Sequence, residues 1–133
     1  MGFRGLIFAL VAVAGTAQAQ DSQAIEGVIG GQLQAFNDKD VAAAWEFASP
    51  TIKRLFGSSD NFGAMVQQGY PMVWDNNDAQ FLSLKDRAGV AVQRVLIRDG
   101  SGLPHILEYM MIETADGWRI AGVSLLPAPD VGA

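Results

Sequence analysis

Residues 89–126 read GVAVQRVLIRDGSGLPHILEYMMIETADGWRIAGVSLL, and this stretch decides the fold. Gly89 to Arg98 is rich in Val, Leu and Ile, the composition of a strand. Asp99-Gly100-Ser101-Gly102 supplies a hairpin connection, after which His105 to Thr114 pairs back. Asp116-Gly117 is a strong short hairpin signal, and Trp118 to Leu126 completes the run. Successive strands joined by such short turns form an antiparallel sheet. Upstream, Gln80 to Lys85 reads as a further strand, preceded by a turn at Asp75-Asn76-Asn77-Asp78. Met72-Val73-Trp74 reads as a short extended segment.

Before Tyr70-Pro71 the periodicity is helical. Ile25, Val28, Ile29, Leu33 and Phe36 recur at steps of three and four, which places one apolar stripe on a helix over about 22–36. Gly30 and Gly31 sit inside it at a cost of ~1 kcal/mol each against alanine, so the helix is expected to rely on close packing. Asn37 to Asp40 breaks the run, and Asp38 or Asp40 is positioned to cap a second helix carrying Val41, Ala44, Trp45 and Ala48. Ser49-Pro50 starts a third helix that Gly57 closes. Ser59-Asp60 opens a fourth, which Gly69 ends. Helices followed by hairpin-connected strands predict an α+β domain, with the helices packed on one face of an antiparallel sheet.

The first nineteen residues stand apart. Arg4, the apolar run from Leu6 to Ala14 and the small residues up to Ala19 have the order of a secretory signal peptide, with cleavage expected after Ala19. The apolar run is shorter than the ~20 residues that span a bilayer. The expected organisation is a leader over 1–19, one domain over 20–126 and a frayed tail over 127–133. The chain has no cysteine, which excludes disulfides and a lipid anchor on cysteine. Without Arg4 it carries eight basic and fourteen acidic residues, a net charge of −6. That balance argues against nucleic acid and anionic membranes as partners. The expected location is outside the cytoplasm, the periplasm in a Gram-negative host.

The order of elements over 22–126 resembles the nuclear transport factor two-like (cystatin-like α+β) superfamily, in which a curved sheet wraps a long helix into a cone with a cavity. A closer resemblance rests on Phe47-Ala48-Ser49-Pro50, Ile52, Phe56-Gly57, Phe62, Met65-Val66, Tyr70-Pro71 and Val73, with Gly117-Trp118-Arg119-Ile120-Ala121-Gly122 near the end. These residues are similar to a family of short exported bacterial proteins, the domain-of-unknown-function family numbered 4864. The resemblance implies no activity.

Two kinds of site follow from the residues. An apolar pocket at the mouth of a cone, with Trp45, Tyr70 and Trp74 from the helical half and Glu108 and Met110 from the sheet, would take a small apolar ligand or a protein partner. Alternatively, Glu108 or the single histidine, His105, acts as acid or base in a pocket enzyme of the isomerase, dehydratase or hydrolase type. Strand parity separates His105, Leu107, Tyr109 and Met111 from Ile106, Glu108, Met110 and Ile112, so Glu108 reaches a cavity only if its face is the inward one. A cross-strand pair of Glu108 with an arginine is the plainer reading. Pairing of the open sheet face into a homodimer is a third possibility for the surface. No cofactor is expected. One histidine and no cysteine give zinc little to bind, and Asp75 to Asp78 lacks the glycine and distant glutamate of a calcium loop. No Gly-x-Ser-x-Gly elbow or phosphate loop is present.

Overall fold

The computed structural model describes the backbone over 4–127 and the side chains over 21–127. The leader expected over 1–19 and nearly all of the tail expected over 127–133 lie outside the described side chains. The elements run α1 (Arg4–Asn37), α2 (Val41–Glu46), α3 (Pro50–Phe56), α4 (Ser59–Gly69), α5 (Pro71–Trp74), then β1 (Asn77–Arg87), β2 (Val90–Arg98), β3 (Pro104–Thr114) and β4 (Gly117–Leu125). The fold is α+β, with the helices preceding an open four-stranded antiparallel sheet of order β1-β2-β3-β4.

Three of the short helices, α2, α3 and α4, begin where a side-chain oxygen meets an orphan amide. Asp40 accepts from Ala43 N at 3.1 Å at the start of α2. Ser49 accepts from Ile52 N at 3.3 Å ahead of α3, with Pro50 in the first turn and Gly57 closing the helix at φ +80°. Each such cap stabilises its helix by about 1 kcal/mol. Ser58, one residue earlier than the sequence suggests, caps α4 through Asn61 N at 3.1 Å. The expected extended segment at Met72-Val73-Trp74 is instead a helical turn. Pro71 sets a helical φ at its first position, and Met72 and Val73 turn into the core. A three-residue apolar run does not distinguish a strand from a buried turn of helix.

Ile25, Ile29, Leu33 and Phe36 of α1 are buried against Val95, Ile97, Leu107, Tyr109 and Met111 of the sheet. The register pairs Gln93 with Tyr109 and Tyr109 with Val123, so these three side chains follow one another across the helix-covered face. Glu108 and Met110 therefore alternate onto the other face. Irregular register occurs twice in β1 and once between β3 and β4, at Met110/Met111. Bulges of this kind bend a strand and strengthen its twist. The outer edge of β4 is not bare. Ser49 N donates to Ile120 O at 2.8 Å and Ile120 N donates to Phe47 O at 2.9 Å, so the link between α2 and α3 covers it.

Candidate functional site

A pocket of about 250 Å³ lies between α3, α4 and the last two strands. Ile52 and Leu55 of α3 and Met65 of α4 form one side, Tyr109, Ile120 and Val123 the other. The lining includes no Asp, Glu, His, Lys or Arg. Its lining residues with polar side chains are Gln32, Tyr70 and Tyr109. Gln32 Nε2 donates one of its two protons to Ala44 O at 3.2 Å, and the Tyr70 hydroxyl donates to Val123 O at 3.1 Å. The Tyr109 hydroxyl makes no hydrogen bond although its side chain is 1 % exposed. Burial, with the neighbouring Tyr70 phenol adding to it, pushes the Tyr109 hydroxyl well above its ordinary pKa. It therefore stays protonated, and is a donor, throughout the physiological range.

The sequence fixes this hollow in three ways. Ser49, fully buried, and Gly57 hold both ends of α3, so the helix spans the opening although none of its residues is fully buried. Leu55 is left 72 % exposed at the rim. Gly63 lets α4 approach α2, since a Cβ there would fall 2.6 Å from Val41 Cγ1. Tyr70, just after α4, places its ring beside Val123, in contact range of the Tyr109 strand pair.

Of the five residues singled out for a pocket, Tyr70 lines this one and Trp45, Trp74, Glu108 and Met110 do not. Trp45 packs on Phe62 with ring centroids 5.5 Å apart. Trp74 lies 6.1 Å from Phe36 and beneath the Lys39 ammonium, 4.4 Å from its ring centre. Glu108, on the face away from the helices, accepts from Arg94 Nε at 2.9 Å and has Arg87 at 3.6 Å. Met110 shares that face and reaches over Gly122, where a Cβ would meet its Cε at 2.7 Å. His105 Nε2 pairs with Asp99 Oδ2 at 2.9 Å at the β2–β3 turn, and it too is absent from the pocket wall.

Sequence reasoning missed Tyr109, Ile52, Met65 and Val123 as wall residues. Parity placed Tyr109 opposite Glu108, but the inward face follows from which face the helices cover, and no local pattern states that. A second hollow of about 350 Å³ beside Ile25 and Trp118 has three charged side chains in its wall, Asp21, Lys85 and Asp86. Among the described residues no group of three or more His, Cys, Asp or Glu is placed to hold a metal ion.

No curated protein and no solved structure matches the chain. Residues 18–133 match the family described as Domain of unknown function (DUF4864). The match spans everything from the end of the expected leader through the pocket-forming helices and the whole sheet, and the chain belongs to that family.

Proposed function

We propose that this protein is a non-catalytic, exported binding module that accepts a small apolar ligand in the pocket beneath α3. The observation that carries the reading is the pocket itself, about 250 Å³ walled by apolar side chains and free of any charged one. Protein interiors are otherwise packed to crystal-like density, and concave apolar sites with a few polar atoms are where small ligands bind. A cavity of ~150 Å³ holds one benzene ring, so this one suits on the order of ten non-hydrogen atoms. The bulged antiparallel sheet with helices on one face supports a nuclear transport factor two-like cone, with the pocket between its helical side and β3–β4. The leader pattern of 1–19 supports export, to the periplasm in a Gram-negative host.

Cumene, an apolar molecule of fitting size, tests the reading by thermal unfolding. At ten times its Kd a ligand adds about 1.4 kcal/mol and raises Tm by roughly 5 °C for a domain of this length. Ile52→Trp, which fills the pocket from α3, is expected to abolish the rise while the variant remains folded. A wild-type Tm indifferent to cumene up to its solubility contradicts the proposal.

A further inference from the structure

Tyr109 is a residue of the pocket lining, and its hydroxyl is buried and left without a hydrogen-bond partner among the described residues. Most buried hydroxyls are hydrogen-bonded, and an unpartnered one calls for a physical reason. On the adjoining strand, Val123 O accepts from the Tyr70 hydroxyl and not from Tyr109. On the other adjoining strand the Gln93 amide gives its Nε2 to the carbonyls of Leu82, Ser83 and Arg94, and its own Oε1 is likewise unpaired. Phenylalanine at position 109 would fill the same volume without burying a polar atom, so packing alone gives no reason for a tyrosine.

We infer that the ligand is a compact, neutral molecule bearing one hydrogen-bond acceptor oxygen, a carbonyl or ether on an apolar body, and that Tyr109 Oη donates to that oxygen. This rests on the pocket being the binding site. Neutrality follows from the lining: a carboxylate or an ammonium seated against these apolar walls would lose hydration with no charged side chain to pair it, which is costly. The acceptor follows from the donor. Tyr109 offers its one proton, and Tyr70 has committed its own to Val123. The size limit follows from the volume, on the order of ten non-hydrogen atoms.

Acetophenone and cumene have nearly the same shape, and differ in presenting a carbonyl oxygen or a methyl group. Their affinities for the full-chain protein and for Tyr109→Phe are measured by NMR titration. For acetophenone the affinity is expected to fall about three- to tenfold in the variant, the usual weight of one hydrogen bond. For cumene it is expected to hold or rise, which also shows that the variant's pocket is intact. If cumene binds both proteins and acetophenone fails to distinguish them, the hydrogen-bond inference is overturned and the pocket reading survives. If neither compound binds the wild type, the pocket reading falls and this inference falls with it.

Discussion

Asn76 is 6 % exposed and its amide joins three parts of the chain: Nδ2 donates to Leu33 O at 2.9 Å and to Val73 O at 2.7 Å, while Oδ1 accepts from Asn37 Nδ2 at 3.1 Å. It thus ties the end of α1 to the end of α5 just where the sheet begins. Replacing it with alanine leaves two buried carbonyls short of a donor, and each unmade bond of this kind costs about 1–3 kcal/mol. Asn76→Ala is therefore expected to lose about 2–4 kcal/mol, read as a lower urea midpoint. Asp99 is a second such residue, at the surface. The hydrogen bond from His105 holds its carboxyl below the usual 3.8, aided by the Leu103 and Ser101 amides and opposed by partial burial. A carboxylate lowered in the folded state adds stability that is present above its unfolded pKa and is lost as pH falls through the lowered value. Asp99→Asn is expected to be less stable than wild type at neutral pH, with the difference shrinking as pH falls below 3.8 and through the lowered value. Locally, the break at Asp75-Asn76 was legible, but the turn expected over Asp75 to Asp78 is shorter, since Asn77 and Asp78 already belong to β1; that Asn76 faces inward was not legible, since its partners at 33 and 37 are distant in sequence.

The helical elements illustrate how one residue type serves two purposes. Gly30 and Gly31 are adjacent in α1, yet a Cβ at Gly30 meets nothing within 4 Å while one at Gly31 falls 2.7 Å from Phe47 Cζ. Gly30→Ala is expected to stabilise by about 0.5–1 kcal/mol through helix propensity alone. Gly31→Ala must displace the Phe47 ring, and is expected to forfeit that gain by comparison. Equal midpoints for the two variants in urea would contradict the close contact. The pair was legible as a packing requirement, but the sequence gives no way to assign it to one glycine. Caps were the most legible feature of all, because a cap is satisfied within three residues: Asp40, Ser49 and Gly57 stand where local chemistry puts them. The pocket was the least legible. Its wall is drawn from α1, α3, α4, α5, β3 and β4, and the aromatic residues that looked available, Trp45 and Trp74, are occupied by Phe62 and by Phe36 with Lys39.

For the whole molecule, the α+β order was legible as a change of periodicity, although the change falls after α5, at Asn77, and not at Tyr70-Pro71; membership of the DUF4864 family agrees with the residues that suggested it. No helix among the described residues is long and apolar enough to cross a membrane. Export is a proposal with a simple readout: the mass of the protein recovered from outside the cytoplasm is expected to correspond to a start at Gln20, and a start at Met1 would contradict it. The binding proposal depends on a hollow that persists when the protein is free. Dry apolar cavities take up xenon, so diffraction from a crystal of the protein under xenon pressure tests it most directly. The pocket reading predicts xenon density between Ile52, Met65 and Val123. Crystals in which α3 has closed onto Val123, with no xenon in that space, would contradict it.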